Sequence, residues 1–335
     1  MNKLNGFFFS VTILLILSGC YGKQEIAYRN IVFSSPQADT VRVMTFNIRA
    51  NNILDSLDSW YFRKQRVFVI LADNSADVIG LQEARYSQLQ QIQQALPQYS
   101  YYAAGRYDGM QSGESCPIFY RKDRFAVLDS GTFWFSDTPD VPGTLDWGNI
   151  VPRICSWVHL LEREQKTSFY VYNLHLDCFS QNSREKSVRL LARQVAERKT
   201  QAPFIVMGDF NMALYNPAMM YLMKFGYQTP YPKMVDAWLS VYPDQSEAST
   251  CQRFRGWYSG PNIDHIQICE DARALEATID SRDVNGRYAS DHFPVIADIL
   301  LTSPRRVSQL NNNQVSELLI VRDNPSAQPL PLDSR

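Results

Sequence analysis

The sequence predicts an α/β domain running from Val41 to Leu301, about 260 residues in one unit. Three observations predict it. Short β-rich runs alternate with amphipathic stretches over that whole span, and no internal repeat or long linker breaks it. The composition is that of a packed protein, with 45% hydrophobic, 20% charged and 13% aromatic residues in a chain of 335. That balance excludes a wholly disordered chain.

The elements follow in order. Val41–Ile48 is apolar and rich in β formers, so it reads as a strand. Trp60–Ala72 has helical spacing through Val67, Ile70 and Leu71. Asp77–Gln82 is a short buried strand. Ser87–Leu96 keeps Leu89, Ile92 and Leu96 on one helical face, and Pro97 stops it. Strand-like runs follow at Ile118–Tyr120, Ser156–Leu161 and Ser168–Leu174. Ser183–Lys199 is the clearest helix, with Val188, Leu191, Ala192 and Val195 in the i, i+3, i+4, i+7 stripe. Its cations, Arg184, Lys186, Arg189, Arg193 and Arg198, read as a solvated face. Strands at Phe204–Met207, Asn262–Ile268 and Val295–Leu300 complete the set.

The flanks differ. Lys3, the apolar run Phe7–Leu17 and then Leu17-Ser18-Gly19-Cys20 read as a signal peptide, because the run is shorter than the roughly 20 residues that span a bilayer. Its end resembles a bacterial lipobox, in which residues 1–19 are removed and Cys20 is lipidated. The expected location is therefore the cell envelope, extracytoplasmic and held at the membrane through Cys20. Residues 20–40 read as a tether, and 302–335 as a polar flexible tail. Cys116, Cys155, Cys178, Cys251 and Cys269 show no zinc spacing and read mostly as small buried hydrophobes. Lys+Arg 33 against Asp+Glu 34 leaves a net charge of −1, which argues against the broad phosphate footprint of a non-specific DNA binder. No protein partner is expected, and the chain is expected to act as a monomer.

Polar residues cluster where apolar runs stop. Val43–Phe46 leads to Asn47, Val78–Gln82 to Glu83, and Tyr170–Leu174 to His175, with Asp177 two beyond. Phe204–Gly208 leads to Asp209 and Asn211, Ile263 precedes Asp264, and Ser290 precedes Asp291-His292. In a layered α/β fold such strand ends meet at one rim. Carboxylates and amides there make a hard-oxygen site suited to Mg²⁺, with Mn²⁺ as a substitute, and the absence of a cysteine cluster points away from zinc and copper. Histidine beside carboxylate supplies proton transfer near neutral pH. His265 falls on the opposite face of its strand from Asp264, and His159 reads as structural.

The ordered set Thr45-Phe46-Asn47, Leu81-Gln82-Glu83, Asn173–Asp177, Gly208–Asn211, Asn262-Ile263-Asp264 and Ser290-Asp291-His292 resembles the endonuclease/exonuclease/phosphatase superfamily. The resemblance implies a four-layer α-β-β-α sandwich, two mostly antiparallel sheets flanked by helices. It implies an enzyme, a metal-dependent phosphoric ester hydrolase (phosphodiesterase or phosphatase) working by in-line attack of water. Asn47 and Glu83 would hold the metal, with Asp291 joining or sitting behind them. Asp209 and Asn211 would orient or deprotonate the attacking water, or hold a second metal. His292, oriented by Asp264, would contact the scissile phosphate, and His175 would stabilise phosphoryl oxygens or serve the leaving group. Asn211, His175 and His292 would thus touch phosphate. Glu114 falls where related enzymes set a carboxylate against the second histidine, and Arg153 where several place a phosphate-binding arginine.

Substrate choice lies in the irregular stretches Tyr107–Ser115, Phe133–Asn149 and Arg253–Pro261. Tyr107, Trp134, Trp147, Trp157 and Trp257 in or near them either stack on a base, sugar or lipid headgroup or simply pack. Expected substrates are a phosphorylated small molecule or a lipid headgroup. A DNA or RNA nuclease is the alternative, and a non-catalytic lipoprotein binding a phosphorylated ligand is the rival from another class.

Overall fold

A computed structural model describes residues 40–244, 248–256 and 260–301. The signal segment, Cys20, the tether, Trp257 and the C-terminal tail lie outside the described residues. Among the described residues, no helix is long and apolar enough to cross a membrane.

The chain runs β1 (Thr40–Asn47), α1 (Trp60–Asn74), β2 (Val78–Gln82), β3 (Ala84–Arg85), α2 (Tyr86–Ala95), β4 (Tyr99–Tyr102), β5 (Glu114–Ser115) and β6 (Ile118–Arg121). It continues through β7 (Phe125–Trp134), β8 (Ile154–Glu162), β9 (Ser168–His175), α3 (Gln181–Ala196), β10 (Phe204–Asp209) and α4 (Pro217–Leu222). The last elements are β11 (Met234–Asp236), α5 (Ala237–Val241), β12 (Asp264–Cys269), β13 (Arg273–Ile279) and β14 (Val295–Leu300).

Two six-stranded sheets result, in the orders β13-β14-β1-β2-β6-β4 and β11-β12-β10-β9-β8-β7. Only β1/β2 and β9/β10 pair in parallel; the other ladders of both sheets are antiparallel. Period-2 alternation then sorts side chains into layers. From β1, Met44 and Phe46 pack with Trp60, Val67, Ile70 and Leu71 of α1, while Val41 and Val43 face the other sheet. From β9 and β10, Tyr170, Tyr172, Phe204 and Val206 pack with Val188, Leu191 and Val195 of α3, while Val171, Ile205 and Met207 face inward. The layers are helix, sheet, sheet, helix, as the resemblance implied. Truncating Ile205, which has no exposed surface, to Ala would cost about 2–5 kcal/mol.

A polar staple crosses between the sheets beneath the rim. Gln82 Nε2 donates to Thr45 Oγ1 at 3.0 Å and Asn173 Oδ1 at 2.7 Å, and Asn173 Nδ2 donates to the carbonyls of Leu81 and Pro117, each at 2.8 Å. Gly80 makes room for it, since a Cβ there would sit 2.8 Å from Asn173 Cγ. The sheets are thus fixed to each other where the site will be built.

Several elements were not expected from the sequence. Phe133-Trp134, assigned to an irregular stretch, end the ten-residue strand β7. Most of β7 is only half buried, and Gly131 within it has no side chain because the Trp157 ring lies over it. β13 is an edge strand with mixed polarity. Such strands are specified by a partner rather than by their own pattern.

Candidate active site

Strand direction decides where each polar side chain lands. β1, β2, β9 and β10 run toward one rim and deliver Asn47, Glu83, His175 and Asp209. β12 and β14 run the opposite way, so this rim receives the residues at their starts, Asp264 and the Asp291-His292 pair.

On the β9/β10/β12 side the groups are buried and mutually bonded. His292 Nδ1 lies 2.8 Å from Asp264 Oδ2, and its Nε2 is 3.9 Å from Asp209 Oδ2. His175 Nε2 approaches the same Asp209 oxygen to 3.6 Å, and Asn47 Nδ2 donates to it at 3.0 Å. Burial pushes the Asp209 carboxyl up to about 7, and the Asp264 charge adds to the rise. Burial alone would lower His292, but its contact with Asp264 outweighs that and holds it well above the usual imidazole range. His175 goes the other way: burial, then the Arg153 and His292 charges, drive it well below. One imidazole is therefore kept charged and its neighbour neutral.

On the β1/β2/β14 side, Asn47 Nδ2 also donates to Glu83 Oε1 at 3.2 Å, and Ala50 N donates to Glu83 Oε2 at 2.9 Å. Asp291 faces Arg49 Nη1 at 3.7 Å, and Arg49 is pinned by a two-point pair with Asp55. Burial, then the Glu83 charge, raises the Asp291 carboxyl. Arg49, Glu83 and Asn211 all have positive φ, at 57°, 60° and 53°. Left-handed backbone at three non-glycine rim residues is strain of the kind that collects at functional sites.

The other expected residues are placed as follows. Asn211 N donates to Asp209 Oδ1 at 2.9 Å, and its Nδ2 donates to Leu176 O at 3.0 Å. Arg153 is buried, and its contacts are long, 3.5 Å to Asp177 Oδ2 and 3.8 Å to Cys178 Sγ. Glu114 departs from the expected contact with His175: its carboxylate takes a two-point bond from Arg106, at 2.7 and 3.2 Å. The β3/β5 pairing explains this, because it sets Glu114 opposite Arg85 and turns the loop so that Arg106 N bonds Glu114 O. His265 is buried away from the site, with Nε2 on Met212 O, and His159 stacks on Tyr170 at 4.0 Å. Three of these tryptophans have protein partners: Trp134 Nε1 donates to Arg106 O, Trp147 Nε1 to Asp137 Oδ1, and Trp157 covers Gly131. Cys116, Cys155 and Cys269 are buried and free, as expected of small hydrophobes.

One residue escaped the sequence reading altogether. Arg63 is wholly buried, and its guanidinium donates to the carbonyls of Ile48, Arg49 and Ala50 after β1 and to Ala289 before Asp291. It ties together the two loops that carry Asn47 and Asp291-His292. Burial lowers it to about 10, against the Asp291, Asp55 and Glu83 charges that favour its charged form. A signal existed: Arg63 sits in the apolar stripe of α1 with Trp60, Val67 and Ile70, a place where a lone cation needs a reason.

The donor set fits a hard divalent cation. Glu83 and Asp291 are neighbouring carboxylates whose repulsion a cation between them would relieve, and both offer oxygen only. Asn47 in its present rotamer orients Glu83 and Asp209, with its own Oδ1 on Arg49 N. Asp209, Asp264 and His292 also bring one donor atom each within 4.8 Å of one another. There, however, His292 Nδ1 and Asp264 Oδ2 already bond each other.

Comparison with known proteins agrees with this geometry. The model of the endonuclease/exonuclease/phosphatase family matches residues 44–292. A crystal structure of an endonuclease/exonuclease/phosphatase from Bacteroides vulgatus is 32% identical, with a TM-score of 0.71 over 78% of this chain and 99% of that one. A mannosyl-6-phosphatase from Bacteroides thetaiotaomicron is 29% identical, with a TM-score of 0.70 over 78% of this chain and all of that one. An uncharacterized protein, L388, of Acanthamoeba polyphaga mimivirus is 27% identical over 164 residues; the match spans 47% of this chain and 60% of the relative's length.

Proposed function

Because the chain belongs to the endonuclease/exonuclease/phosphatase family, we propose that it is a Mg²⁺-dependent hydrolase of phosphate esters, with Mn²⁺ able to substitute. The observation that carries this reading is the opposed pair of clusters on one rim. Glu83 and Asp291 stand on one side and the buried His175, Asp209, Asp264 and His292 on the other.

Glu83 and Asp291 would hold the cation, which supplies Lewis-acid neutralisation of a phosphoryl oxygen. Asp209, fixed by Asn47 and by Asn211 N, orients the attacking water and draws off its proton. His292, charged and held by Asp264, donates through Nε2 to a phosphoryl oxygen. His175, neutral, and the buried Arg153 hold the remaining oxygens. Water adds to phosphorus, the bond to the leaving oxygen breaks, and the proton taken from water ends on that oxygen. All of these groups are present together, which favours catalysis over a binding-only role.

The test is turnover of p-nitrophenyl phosphate and bis-p-nitrophenyl phosphate by the purified chain with Mg²⁺ and with EDTA. Metal-dependent release is expected, and its absence with both esters overturns the reading. Rapid nicking of plasmid DNA at low enzyme would replace the small-ester assignment with a nuclease. We also propose that the enzyme works at the cell envelope, tethered through lipidated Cys20, on the strength of the Leu17–Cys20 motif. A wild type that fractionates as soluble, indistinguishable from Cys20→Ala, would refute the tether.

A further inference from the structure

Side chains on β12 alternate between the two faces of its sheet, so Asp264 points at His292 and His265 points the other way. On that other face lies the loop after β10. The His265 ring meets Met212 O through Nε2 at 2.9 Å and Asp236 Oδ2 through Nδ1 at 3.2 Å. We propose that His265, held by Asp236, is a positioning residue for the reaction: it grips the backbone of the loop that presents Asp209 and Asn211 to the site. The inference rests on the phosphoester reading above.

Three features carry it. First, the partners fix the protons of the ring. A carbonyl and a carboxylate only accept, so both ring nitrogens carry hydrogen and the ring is an imidazolium. Burial alone would lower His265, but the bond and charge of Asp236 outweigh that and raise it. The hydrogen bond to Met212 O is therefore charge-assisted. Second, Asp236 is itself fixed. It is buried, accepts from Leu239 N at 2.9 Å as the cap of α5, and accepts from Gln267 Nε2 of β12. A buried ion pair gives little stability beyond that of an apolar pair of the same size; what it supplies here is one orientation. Third, the loop needs holding. Asn211 has φ 53°, a left-handed backbone that a non-glycine residue keeps only under constraint. Leu176 N bonds Asp209 O at 2.9 Å, Phe210 N bonds Ile263 O at 2.9 Å, and Asn211 Nδ2 bonds Leu176 O at 3.0 Å. The next carbonyl along, Met212 O, is the one that His265 takes, and Phe210 stands edge-on to the same ring at 5.5 Å. With the turn closed in this way, Asn211 N reaches Asp209 Oδ1 at 2.9 Å.

The test assays the purified chain with Mg²⁺ on p-nitrophenyl phosphate and bis-p-nitrophenyl phosphate. Alongside, amide hydrogen exchange is followed by mass spectrometry in the segment 208–214. His265→Leu removes the donor to Met212 O. It should lower kcat by about 10–100-fold with KM within about twofold of wild type. Exchange in the segment should quicken by about tenfold or more while α1 is unchanged. His265→Gln keeps an N–H where Nε2 stood and should bring both readings back to within about threefold of wild type. Should His265→Leu melt early, the second variant is His265→Leu with Asp236→Asn, which strands no buried carboxylate and keeps the cap of α5; the same losses are expected. In an Asn211→Ala background, His265→Leu should cost less than about threefold more, because the loop has already lost what it presents. Near-wild-type kcat in folded His265→Leu, full additivity with Asn211→Ala, or unchanged exchange in the segment overturns the positioning role. A wild type that hydrolyses neither ester overturns the phosphoester reading, and the exchange comparison then decides by itself whether His265 holds the loop.

Discussion

One rim, two halves, and they differ in wetness. The half built on β9, β10 and β12 is dry: Asp209, Asp264, His175 and His292 are each at most 8% exposed, and burial together with neighbouring charges shifts Asp209, His175 and His292. The half built on β1, β2 and β14 is half open, with Glu83 and Asp291 beside the partly exposed Arg49. On the proposed function, the difference separates two tasks. Proton transfer needs groups whose charge is decided by neighbours, and desolvation gives neighbours their leverage. A hydrated divalent cation needs oxygen ligands it can reach from water.

That division is sharpest at Asp209, where both histidines and Asn47 converge. Asp209→Asn should leave melting temperature nearly unchanged and reduce kcat by about 10³-fold or more at saturating Mg²⁺; a loss below tenfold would mean that the dry half does not carry the proton. Glu83→Gln tests the wet half. It should raise the Mg²⁺ concentration for half-maximal rate by about 100-fold and weaken Mn²⁺ binding measured directly by calorimetry, whereas a fall in kcat alone would erase the division of labour.

Arg63 lies beneath the half-open side and joins the loop after β1 to the loop before β14. Arg63→Met strips donors from four carbonyls and should lower stability by about 2–4 kcal/mol, with Mn²⁺ binding weakened in the fraction that stays folded. Arg63→Lys should recover part of both. Unchanged Mn²⁺ affinity in Arg63→Met would make the residue a packing element only.

The smallest effect lies outside the rim. Burial on Tyr170 lowers His159 to about 4 from 6.5. The neutral form is therefore favoured by the fold, and its stabilisation is present above pH 6.5 and fades as pH falls toward 4. His159→Gln should flatten the decline of melting temperature across that window. An identical decline would assign it to other groups, His175 foremost, since it is depressed in the same direction.

Much of this was legible in the chain. The runs that became β1, β2, β9 and β10 are almost wholly buried and carry apolar stretches, so the polar residue that stops each stretch stands out. Asn47, Glu83, His175 and Asp209 were found that way, and Asp264 and His292 by what surrounds them. What stayed hidden depends on partners distant in sequence. β7 is a strand because β8 lies beside it, with Gly131 opposite Trp157. Glu114 was assigned to His175 because no local pattern reveals that Arg106, eight residues earlier, turns back onto it. Arg63 looked like an ordinary helix cation until four carbonyls from two loops surrounded it.

The antiparallel pairing of β1 with β14 sets Thr40 against Leu300, with Arg42 and Asp298 joined by a two-point ion pair close by. The start of β1 and the end of β14 therefore share one doorstep, roughly 23 Å along the strand from Asn47 at a rise of about 3.3 Å per residue. A linker or solid support joined directly at Thr40 or Leu300 would grip the sheet from its floor and leave the rim facing outward.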